Sequence, residues 1–146
     1  MSGAGVRHPF SRPALRRLVA AGCLAATIVG GLAVHQLLPD TTGTDIAGDA
    51  LYAVAAYLAV VILAPRLTPL VTGSIAAAWC VAVELFQLTG IPEDVGSAFA
   101  PAMLILGTVF DARDLVIYVI AAAVCVVVDA ASSAAIARRR APARRE

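Results

Sequence analysis

The stretch VTGSIAAAWCVAVELFQLT, residues Val71–Thr89, decides how the whole chain must be read. It is long and apolar enough to cross a bilayer as a helix, yet it carries Glu84. A charged side chain at membrane depth costs roughly 2.5–3.5 kcal/mol on insertion scales, so such a residue normally has a partner or a task. Gln87 follows three residues later, on the same helical face. The stretch therefore announces a membrane helix with a polar site turned into its bundle. It names no reaction.

The rest of the chain agrees. Its 146 residues are 60% hydrophobic and only 14% charged, whereas a soluble domain carries about a quarter charged residues. The net charge of +1 hides a strong segregation. Every basic residue is arginine: Arg7, Arg12, Arg16 and Arg17 precede the first apolar run, and Arg138, Arg139, Arg140, Arg144 and Arg145 follow the last. Each cluster abuts a span, which marks topology anchors and argues against a nucleic-acid partner. Cys23, Cys80 and Cys125 lie far apart inside apolar runs without metal-ligand spacing, so no metal or cofactor is expected.

Four spans are predicted, at 18–38, 46–64, 70–89 and 115–136, between an arginine-rich amino-terminal segment 1–17 and an arginine-rich tail 137–146. A cleaved signal peptide is the rival reading of the first run, with Gly31-Leu32-Ala33 as cleavage site; a retained span fits better beside three further spans. Asp45 is placed to cap the second helix and Pro65 to end it. Thr68 and Pro69 suit the start of the third, and Asp111 with Asp114 the start of the fourth.

The segment 95–110 is apolar but only 16 residues long, with Pro101 inside it and Gly96 and Gly107 near its ends. Charge decides its course. With four crossings, both arginine clusters and Arg66 share the cytoplasmic side, leaving Arg113 outside; a fifth crossing would strand the carboxy-terminal arginines outside. The segment is therefore predicted to be re-entrant or interfacial, on the outer side. The fold class is an all-α, polytopic membrane bundle of four transmembrane helices plus this segment.

Glu84 lies about 8 Å below the outer end of its helix, at 1.5 Å per residue. His35, Gln36, Asp49 and Asp114 lie toward the same side, with Tyr52 and Tyr118 a turn deeper. The predicted site is an outward pocket of Glu84, Gln87, Asp49 and Asp114, with Arg113 or His35 as counter-charge. Each member also has a plainer role. Asp49 and Asp114 suit first helical turns, His35 an interfacial position, and the two tyrosines an aromatic belt. Trp79, near mid-span, suits packing, while Glu84 has no cap or belt to explain it. Asp129, roughly 22 Å along the fourth helix from Asp114, is expected to pair with Arg66 as a structural latch. No nucleophile–base pair or phosphate loop is present, and no catalytic residue is designated.

Gly48-Asp49-Ala50-Leu51-Tyr52, Glu84-Leu85-Phe86-Gln87-Leu88, Leu106-Gly107-Thr108-Val109-Phe110 and Asp114-Leu115-Val116-Ile117-Tyr118, in this order, resemble the small bacterial membrane family called domain of unknown function 2809. The resemblance runs from about Leu38 to Asp129 and implies a helical inner-membrane protein without an assigned activity. A remoter similarity is to the VanZ-like proteins, linked to glycopeptide tolerance. Both groups place an arginine soon after the Glu-x-x-Gln helix, where this chain has Asp94-Val95-Gly96-Ser97. Alanines Ala121–Ala123 stand where glycines are expected in the last helix. These departures argue against an arginine-held anion and against close glycine packing of the fourth span.

The expectation is a non-enzymatic, multi-pass protein of the bacterial inner membrane with both termini cytoplasmic. Its partner is the lipid bilayer, and its pocket takes a small polar ligand or lipid headgroup. The alternatives are an enzyme modifying envelope lipids or wall precursors, and an accessory subunit docked on a membrane-protein partner.

Overall fold

The computed structural model describes residues 12–107 and 109–140. The described chain is helical, in the order α1 (Arg12–Leu37), α2 (Thr42–Leu63), α3 (Pro69–Gln87), α4 (Ile91–Ala98), a single 3-10 turn (Ala100–Ala102), α5 (Met103–Leu106) and α6 (Ala112–Arg140). Four of these, α1, α2, α3 and α6, are long and apolar enough to cross a membrane.

Local chemistry fixes the boundaries. Thr41, not Asp45, caps α2: its hydroxyl accepts the Thr44 N–H at 3.3 Å, and Thr44 Oγ1 accepts the Thr41 N–H at 2.9 Å. A threonine pair at this spacing satisfies two end donors reciprocally, which a lone Asp45 cannot do. Asp45 sits instead within the first turn. At α3 the cap is Thr68, followed by Pro69, as expected. Asp111 opens α6, its carboxylate accepting the Arg113 N–H at 2.8 Å.

The segment predicted to be re-entrant is no spanning helix. It begins earlier, at Ile91, and breaks into α4, the 3-10 turn and α5. Eight residues of α4 rise only about 12 Å. The pieces fold on each other, with Gly96 facing the Met103 side chain, and rest against the end of α3.

Helices α2, α3 and α6 pack mutually, and α1 lies along α2. Tyr57, Val61 and Ala76 are buried together with Ala20 of α1, and Ala53 and Cys80 with Tyr118 of α6. The tightest approach is at Gly73, where a Cβ would run into Val126 Cγ2 and lie 3.6 Å from the Ala122 carbonyl. The close contact of the last span is thus provided by a glycine on α3, not by glycines at 121–123. Outward faces carry exposed Leu18, Val29, Leu63, Leu70, Val127 and Val128, as a lipid-facing surface requires.

The bundle has two unlike ends. One gathers the α1–α2 loop, α4, α5 and the start of α6, with most of the acids. The other gathers the start of α1, the α2–α3 turn and the end of α6, with most of the arginines.

Candidate functional site

At the acid end α3 presents Glu84 and Gln87 to the chain leading into α6. Glu84 is wholly buried, and one carboxylate oxygen accepts the Asp111 backbone N–H at 2.6 Å. The other lies 3.5 Å from the Tyr118 hydroxyl, which donates to it. A carboxylate thus sits at the amino-terminal end of α6, where free amides and the helix dipole favour negative charge. One turn on, Gln87 Nε2 donates to the Leu106 carbonyl at 2.8 Å. Its Oε1 is buried without a hydrogen-bond partner among the described residues. Gly107 lies beneath this amide at φ 63° and ψ −165°, a conformation essentially reserved for glycine. A Cβ there would collide with Gln87 Nε2.

A second support comes from α2. The Tyr52 hydroxyl donates to the Ile105 carbonyl at 2.7 Å and accepts from Trp79 Nε1 at 3.1 Å. Its ring leans on that of Tyr118, with centroids 5.9 Å apart. The tyrosines expected as an aromatic belt are therefore parts of the polar network, and Trp79, half exposed, has its N–H satisfied by one of them.

Beside this network an open cleft of about 620 Å³ lies between the end of α1, the start of α2 and the start of α6. It is lined by Asp40, Asp45, Asp49, Asp111 and Asp114, together with Arg113, His35 and Thr44. Asp49 of α2 and Asp114 of α6 both line this cleft, and Asp114 Oδ1 is buried without a hydrogen-bond partner among the described residues. Arg113 lies 3.4 Å from Asp111 and 3.6 Å from Asp114, the latter too long for a hydrogen bond. No group of three or more His, Cys, Asp or Glu side chains is arranged to hold a metal ion among the described residues.

The structure thus divides the predicted site. Asp49, Asp114 and Arg113 meet in the cleft wall, as does His35; Glu84 and Gln87 lie behind it, bonded to the backbone that builds it. Asp111 was read only as a cap, yet it joins the two layers, its N–H on Glu84 and its side chain in the cleft.

At the arginine end Asp129 pairs with Arg16 at 2.5 Å, not with Arg66. Arg16 Nη1 also donates to the carbonyls of Pro65 and Leu67 at 2.8 and 2.7 Å, so one guanidinium covers the α2–α3 turn and α6 together. The Tyr57 hydroxyl donates to Asp129 at 2.7 Å. Arg66 lies in that turn with its side chain exposed. Arg16 was read only as a topology anchor; α1 begins at Arg12, ahead of the predicted span, and this places Arg16 within the helix and in reach of Asp129.

These features define an all-helical, multi-pass membrane protein with a polar assembly at each end of its bundle. The chain belongs to the family described as protein of unknown function (DUF2809), whose model matches residues 39–130. The match takes in α2 and runs to Ala130 of α6, leaving α1 outside. No curated protein and no solved structure matches the chain.

Proposed function

We propose that the protein is a binding protein of the bacterial inner membrane, with both termini cytoplasmic and the acid-lined cleft opening outward. The cleft takes a small cationic group, carried by a free amine or by an amine-bearing lipid headgroup. One observation carries this reading: Asp49 and Asp114, from two different helices, line one cleft together with Asp40, Asp45 and Asp111, against Arg113 and His35. An ammonium group offers several N–H donors and a charge that such a wall is built to receive. The ligand would displace Arg113 from part of its pairing, which its long contacts and exposed side chain allow.

The test is titration of the full chain in nanodiscs with spermidine and with glycerophosphoethanolamine. Asp49→Asn and Asp114→Asn should each weaken binding about tenfold, since a hydrogen bond to a charged group contributes roughly 1.5–3 kcal/mol. Added salt should weaken it further. Binding unchanged in both variants removes the proposal.

A second reading, an accessory subunit docked on a larger membrane protein, draws on α1. Gly22 and Gly30 have open space where a side chain would stand, so another helix has room to approach closely there. Recovery of the monomer alone after crosslinking in membranes would count against it.

A further inference from the structure

Glu84 and Gln87 are the most deeply placed polar groups at the acid end, yet neither lines the cleft. Each makes its shortest hydrogen bond to backbone. Glu84 takes the Asp111 N–H and Gln87 supplies the Leu106 carbonyl, so α3 grips the chain on either side of position 108. The grip has a matched seat, since Gly107 leaves room for the Gln87 amide only because it lacks a Cβ. The gripped chain is also the cleft wall. Phe110 and Asp111 line the cleft directly, and Asp111 sets the first turn of α6 from which Arg113 and Asp114 project.

We propose that Glu84 and Gln87 are positioning residues that clasp this wall, so that clasp engagement and ligand occupancy of the cleft favour one another. The proposal rests on the cleft reading above for its ligand, but the clasp itself does not. Asp111 is the joint. Its N–H belongs to the clasp and its carboxylate to the cleft, so displacing one displaces the other. A ligand that holds Asp111 and Asp114 must favour the engaged clasp by the same factor by which the engaged clasp favours the ligand. Glu84 and Gln87 thus need no contact with the ligand to govern its affinity.

The experiment is peptide-level amide hydrogen exchange on the full chain in nanodiscs, with and without spermidine, paired with spermidine titration. Glu84→Leu and Gln87→Leu should each speed ligand-free exchange in peptides covering 106–114 by about tenfold, the value of one lost hydrogen bond near 1.4 kcal/mol. They should weaken spermidine binding by a similar factor and leave exchange in α1 unchanged. Glu84→Gln, which keeps an acceptor oxygen, should fall between wild type and Glu84→Leu. Asp49→Asn should weaken binding without altering ligand-free exchange. If the leucine variants do not fold, Gly107→Ala perturbs the same clasp from the other side and should show the same local rise.

Exchange unchanged at 106–114 in every clasp variant overturns the clasp. A rise spread through the whole bundle overturns it too, because it reveals general destabilisation. A local rise with unchanged spermidine affinity overturns the linkage. Wild type that binds no spermidine defeats the linkage together with the cleft reading, while ligand-free exchange still decides the clasp.

Discussion

A buried carboxylate in a membrane helix must recover its lost hydration from specific donors, and Glu84 does so from a backbone amide and a tyrosine hydroxyl. Gly107 is held just as tightly by its φ of 63° and its contact with Gln87. Gly107→Ala should therefore cost about 1–3 kcal/mol from backbone strain, read as a lower melting temperature in detergent. Gly30→Ala, with open space around it, should leave the melting temperature nearly unchanged. At the other end, Arg16→Ala abandons two carbonyls and Asp129 and should cost about 1–3 kcal/mol, whereas Arg66→Ala should stay within about 0.5 kcal/mol. Equal effects of the two substitutions would contradict the assignment of the latch. Glu84 was legible in the sequence because neither a cap nor a belt position accounts for it. Its partner was not, because that partner is a backbone N–H, which every residue but proline has. Arg16 was hidden differently: four arginines precede the first span, and only the three-dimensional depth of α1 shows which one meets Asp129.

Among the elements, the four long helices were readable from unbroken apolar runs, and their ends from Thr68, Pro69 and Pro65. The capping of α2 was misread because acidic residues draw attention while a threonine pair does the same work with neutral oxygens. Thr41→Ala should cost about 1 kcal/mol, measurable by thermal unfolding, and Asp45→Ala less. The short length of 95–110 and Pro101 argued against a spanning helix, and the placement of the arginines decided it. What the pattern could not show is that its return is tied to α2 by Tyr52 and to α3 by Gln87, since such bonds join residues 53 and 19 positions apart. The α3–α6 seam teaches the same lesson. Alanines at 121–123 suggested loose packing of the last helix, but closeness depends on the facing surface, and Gly73 supplies it there. Gly73→Leu should separate α3 from α6 and abolish stable folding, while Gly73→Ala should cost about 1–3 kcal/mol through overpacking. Both are read by the recovery of monodisperse protein and its melting temperature.

For the molecule as a whole, composition announced a membrane protein, and the segregation of arginines from acids announced two unlike ends. The structure gives each end an assembly: a guanidinium-centred latch at one, and a clasped, acid-walled cleft at the other. Their separation along the bundle depends on the chain crossing four times, with the segment between α3 and α6 folding back instead of passing through. Were that segment a fifth span, the acid-end loops would no longer share a side, and the cleft between α1, α2 and α6 would not exist. The parity of crossings is therefore the claim on which the rest stands. Reporters fused in turn to the two ends of the chain measure it in intact cells, one reporter active only in the cytoplasm and one only outside it. Four crossings predict that both ends report from the cytoplasm, with a cysteine placed at Asp40 labelled by an impermeant maleimide from outside. Ends reporting from opposite sides would contradict the account.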